Sequence, residues 1–209
     1  MQIKRLPKNL DLQDPDILNC YLHGSRVYGT ATEQSDFDYI VIKTFTEPCT
    51  ETRGNEDFSY YSKDDWNRMA LNNDVDFIEC LFLPDCYKCK ETFIPDWYLD
   101  REKIRSNFSR TASNSWVKCK KKLTIEKDFA PYIGKKSLWH SFRLLNFGCQ
   151  LLQFNEIIDY TSVNYLYDEI VHNDITDWNY FKQKYQPLYN SFKSEFRRLE
   201  SEGFMTDDL

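Results

Sequence analysis

The hydrophobic period of this chain changes once, at Pro95. Before it, apolar residues come in short runs that stop at turn-forming residues. After it, they recur at spacings of three and four. A chain with that switch is expected to be α+β. A mixed sheet with flanking helices should occupy residues 1–96, and a helical lobe packed against it residues 97–209. Strands are predicted over 18–22, 37–42 and 58–61. A helix over 64–72 should end at the turn cluster Asn72-Asn73-Asp74, followed by a further strand over 75–83 that Pro84 closes. Helices are predicted over 101–122, 136–154 and 163–171. A last one starts near Thr176 and should kink at Pro187. The 136–154 segment is apolar nearly all round, so it should be central in its bundle.

Composition narrows the class. With 41% hydrophobic residues, among them 15 Phe, 14 Tyr and 5 Trp, the 209-residue chain can build a real core, which excludes disorder throughout. No apolar run approaches the length of a membrane span. The opening Met-Gln-Ile-Lys-Arg-Leu-Pro lacks the apolar stretch of a secretory signal. Seven cysteines form no framework, so reduced thiols and a cytoplasmic location are expected. Cys86-x-x-Cys89 is half a zinc site without a second half.

The net charge of −6 argues against a polyanion partner, but its distribution does not. Between Arg101 and Arg143 there are twelve Lys or Arg against three acids, an excess of nine positive charges. Such asymmetry suits a polyanion-binding surface, RNA being the natural candidate. A solvated helical face is the plainer alternative.

Chemistry concentrates between His23 and Tyr39. An apolar strand runs into Gly24-Ser25, where exposed N–H groups and a hydroxyl suit a phosphate. Eleven residues after Ser25 come Asp36 and Asp38, which strand alternation puts on one face. Two carboxylates side by side repel unless a cation lies between them, and Mg²⁺ suits such a pair. The residues therefore point to a Mg²⁺–nucleotide site. His23 either lines that site or packs the strand end.

The string Gly-Ser-Arg-x-x-Gly, then Ser-Asp-x-Asp (24–29 and 35–38), resembles the signature of the DNA-polymerase-β-like nucleotidyltransferase superfamily. It is similar in particular to the predicted nucleotidyltransferase branch associated with RNA repair and also found in phages. That branch has a third carboxylate opening an Asp-x-x-x-Tyr strand, matched by Asp57-Phe58-Ser59-Tyr60-Tyr61. A helix follows, with Trp66 where the branch has Phe. An Asn-rich turn, here Asn72-Asn73, then leads to a Leu-Glu-Leu-Leu-Phe-like strand, matched by Phe77-Ile78-Glu79-Cys80-Leu81-Phe82. The branch's Lys-x-x-x-His-x-x-Arg-Leu-Leu helix is matched by Lys136, His140, Arg143, Leu144 and Leu145.

The resemblance implies a polymerase-β-like catalytic lobe in which Asp36, Asp38 and Asp57 hold two Mg²⁺ ions, with Mn²⁺ as an alternative. Asp76 and Glu79 are rivals of Asp57 for the third place, and Glu79 could instead be structural. Gly24, Ser25, Arg26, Lys136, His140 and Arg143 would bind the NTP. The implied reaction moves a nucleoside monophosphate to a hydroxyl, an RNA end first, with release of pyrophosphate. Transfer to a protein or small-molecule hydroxyl stays open, as does a non-catalytic nucleotide-binding or antitoxin-like role.

Overall fold

A computed structural model describes residues 5–203. Residues 1–4, the start of the segment read above as lacking a signal, lie outside them. The chain divides into two units, Met1–Leu99 and Asp100–Leu209.

The first unit is built on a mixed five-stranded sheet. Its strands are β1 (Ile17–His23), β2 (Phe37–Lys43), β3 (Cys49–Arg53), β4 (Glu56–Ser62) and β5 (Lys88–Glu91), in the order β3-β4-β2-β1-β5. β1 runs antiparallel to β2 and β5, whereas β2 and β4 are parallel. Of the three interior strands, β1 and β2 have the near-continuous apolar runs that burial on both faces demands, whereas β4 alternates. β3 is polar and exposed along nearly its whole length, as an edge strand can be. It returns to β4 through Gly54-Asn55, with Gly54 at φ +67°.

Two short helices follow β4. Helix α1 (Lys63–Asn72) starts with a capping box between Ser62 and Asp65 and stops at Asn73, which takes the left-handed conformation at φ 52°. Trp66, buried on α1, stacks on Tyr21 and meets Phe77 edge-on at 5.2 Å. The segment 75–83, expected as a strand, is instead helix α2 (Val75–Leu81). Its short apolar run fits either period, and the helical one wins. The left-handed turn at Asn73 and the N-cap at Asp74 restart a helix, and the spacing of Phe77, Ile78 and Cys80 then buries all three.

The second unit is helical: α3 (Arg101–Thr124), α4 (Pro131–Phe154), α5 (Asn164–Val171) and α6 (Trp178–Gly203). The last continues through Pro187, where a kink was expected. α4 packs against all three others and holds Leu138, Trp139, Phe142, Leu145, Phe147 and Leu151 out of water, so it is the central helix. α4 and α6 approach at Gly148, where an added Cβ would lie 2.3 Å from the Phe196 ring. Arg101, at the start of α3, donates to the carbonyl oxygens of Leu152 and Leu199, near the C-terminal ends of α4 and α6. All seven cysteines are free thiols. Among the described residues, no helix is long and apolar enough to cross a membrane.

Candidate active site

β1 ends at His23, and the chain then turns through a single 3₁₀ turn, Gly24–Arg26. Gly24 sits at φ +74°, a conformation that costs a residue with a Cβ. The Asp38 carboxylate fills the space beside it, since a Cβ at position 24 would lie 2.1 Å from Oδ2. Glycine is thus required twice, by the backbone and by the acid that leans over it.

Strand register then assembles the rest. His23 pairs with Asp38 across the antiparallel β1–β2 ladder, and Asp38 pairs with Asp57 across the parallel β2–β4 ladder. Directly paired residues project from the same face. His23, Asp38 and Asp57 therefore form one row across three neighbouring strands, beside the Gly24–Ser25 turn. Asp57 accepts a 2.6 Å hydrogen bond from the Thr52 hydroxyl of β3. Asp36 lies just before β2, exposed, two residues from Asp38.

Arg26, the last residue of the 3₁₀ turn, reaches across to the start of β2. Its guanidinium donates to the carbonyl oxygens of Ser35 and Asp36 and lies 3.6 Å from the centre of the Phe37 ring. Nε and one terminal nitrogen thus brace the entry to β2, which leaves the other guanidinium donors for a ligand.

The rivals for the third carboxylate are on α2. Asp76 accepts from the Tyr61 hydroxyl at 3.4 Å; burial first, then the Asp76 charge, pushes the Tyr61 phenol up to about 12. Glu79 is 1% exposed and faces the turn. Its Oε2 accepts from the Tyr28 hydroxyl at 2.5 Å and lies 3.1 Å from His23 Nε2. His23 and Tyr28 flank Gly24–Val27, so one buried carboxylate ties down both ends of the phosphate-type turn. The sequence offers Glu79 a structural role but not these partners, because they depend on 75–81 being helical where the pattern predicts a strand.

In the second unit, Lys136, His140 and Arg143 lie along α4. Arg143 Nε donates to His140 Nδ1 at 3.2 Å, which puts these two side chains on a common face. Arg143 is buried, with its guanidinium 4.9 Å from the centre of the Phe147 ring. The neighbouring Lys135, not singled out from sequence, is buried and donates to the carbonyl oxygen of Asn173.

The donor set suits a hard divalent ion: three carboxylates, two of them in register, against a glycine cradle that a Cβ would fill. Among the described residues, no three His, Cys, Asp or Glu side chains already form a metal cage. Cys86 and Cys89 belong to no such group either, and Cys89 donates to the Arg5 carbonyl oxygen at 3.3 Å. Compared with known protein families and curated proteins, the chain matches no family model and no curated sequence.

Proposed function

We propose that this protein is a metal-dependent nucleotidyltransferase, its first unit a catalytic lobe of the DNA-polymerase-β-like kind. The observation that carries the reading is the Asp38–Asp57 register pair beside the Gly24 turn, with Asp38 packed over Gly24. It supports the resemblance in the Gly-Ser-Arg-x-x-Gly and Ser-Asp-x-Asp strings because both strings meet at one strand end.

Asp36, Asp38 and Asp57 would hold Mg²⁺, whose charge would offset their mutual repulsion. Bound there, the metal would supply charge neutralisation of the triphosphate and activation of the acceptor hydroxyl. The Gly24–Ser25 turn offers N–H groups and a hydroxyl to the outer phosphates. Glu79, through His23 and Tyr28, keeps that turn in one conformation, so the cost of ordering it is met before the nucleotide arrives. In the net reaction, the acceptor oxygen bonds the α-phosphorus and the bond to the bridging oxygen breaks. Pyrophosphate leaves with the electron pair, and the hydroxyl proton is lost to solvent.

The test is incubation of the full chain with each of the four NTPs and Mg²⁺, with and without an RNA oligomer. Pyrophosphate and nucleotidylated product are then measured. Metal- and acceptor-dependent release of pyrophosphate supports the proposal. NTP binding with no release under any condition favours a non-catalytic nucleotide-binding protein.

A further inference from the structure

The corner where α3 turns into α4 combines two surface properties that rarely occur together. Lys118, Lys120, Lys121 and Lys127 are exposed there, and among the described residues none has an acidic partner within 4 Å. Only Lys122 is paired, with Asp128 at 3.9 Å. These four lysines, with Glu126 and Asp128 as the acids of the same corner, stand on a chain whose net charge is −6. At the same corner Phe129 and Tyr132 are more than half exposed. The turn that carries them is a built one, closed by a hydrogen bond from Ala130 N–H to the Lys122 carbonyl oxygen. A Cβ at Gly134 would come within 3.1 Å of Lys122 Cβ, so α4 starts tight against the end of α3.

Tyr132, at 57% exposed, and Phe129, at 52%, leave aromatic surface open to solvent beside those lysines. A second copy packed through the same corner would bring like charges together. A chain of phosphates bearing planar bases satisfies both features, with charge pairing along the backbone and stacking on the rings.

We infer that this corner binds a single-stranded polynucleotide, its phosphates against Lys118, Lys121 and Lys127 and its bases stacked on Phe129 and Tyr132. As an account of the acceptor, this rests on the proposed nucleotidyl transfer. As a binding surface, it lies wholly within the second unit.

The experiment measures fluorescence anisotropy of labelled twelve-residue RNA and DNA single strands, and of the matching duplex, without NTP or Mg²⁺. Sedimentation with phosphatidylserine-containing vesicles runs alongside. Either single strand, or both, should bind well above the duplex, whose bases cannot reach the rings, and the two arms show which sugar is preferred. Phe129→Ala with Tyr132→Ala should weaken binding about tenfold or more. Tyr132→Phe, which keeps the ring, should retain most of the affinity. Lys118→Gln with Lys121→Gln should reduce the slope of log affinity against log salt by about 1.4. Unchanged affinity in the double alanine variant, equal binding of duplex, or binding to vesicles alone would overturn the inference. Strand binding without any pyrophosphate release would sink the transfer reading and leave this one standing. Pyrophosphate release without strand binding would do the opposite.

Discussion

Tyr28 and Glu79, 51 residues apart in sequence, share a 2.5 Å hydrogen bond that closes the far end of the Gly24–Ser25 turn. His23 meets the same oxygen from the near end. Tyr28→Phe removes one donor to a buried carboxylate and should cost about 1–2 kcal/mol of stability in urea unfolding. If the turn holds phosphate, the same variant raises the KM for NTP more than it lowers kcat. An unchanged KM would separate the staple from nucleotide binding.

Gly24 and Gly54 make a matched pair of tests. Both have positive φ, but an added Cβ meets Asp38 at position 24 and open space up to Asn9, 3.8 Å away, at position 54. Gly54→Ala should therefore show backbone strain alone, about 1 kcal/mol, with turnover intact. Gly24→Ala must also displace Asp38 and should lose nearly all transfer. Equal activity in the two variants would show that the Gly24–Asp38 packing plays no part in the chemistry.

Asp65 links stability to pH. Its hydrogen bond with the Ser62 side chain, then that with Arg68, lowers its pKa from the ordinary 3.8. A carboxyl depressed in the folded state stabilises above its unfolded pKa and loses that contribution as pH falls through the folded one. Wild type should thus lose stability below about pH 4 more steeply than Asp65→Asn. Urea midpoints at pH 3 and pH 7 measure the difference. Parallel losses in the two proteins would remove the capping box from the account.

The long periodic elements were legible because their patterns fit one period only. α4 shows a wide apolar surface, and β1 and β2 carry short apolar runs that end at turns. α2 was misread because seven residues of mixed apolar character satisfy a strand as well as a helix. β3 was missed because its side chains are polar and nearly all exposed. Gly54-Asn55 was the available clue, a two-residue turn typical of hairpins. Candidate site residues close in sequence, such as Gly24, Ser25, Asp36 and Asp38, could be named from spacing. Arg26 could not be placed, because its partners are backbone carbonyls that only the fold brings near. The partners of Glu79 were out of view for the same reason.

The central claim is that Asp38 and Asp57, paired in register, are the metal-holding acids of a nucleotidyl-transfer site. Asn variants keep the volume and remove the charge. The decisive measurement is Mg²⁺-dependent pyrophosphate release by wild type, Asp38→Asn, Asp57→Asn and Glu79→Gln, with circular dichroism confirming that each is folded. The account predicts near-complete loss in both Asn variants, with Asp57→Asn still binding Mg²⁺–NTP and Glu79→Gln retaining measurable turnover. A fall of less than tenfold in Asp38→Asn, or loss in Glu79→Gln with Asp57→Asn active, would contradict it.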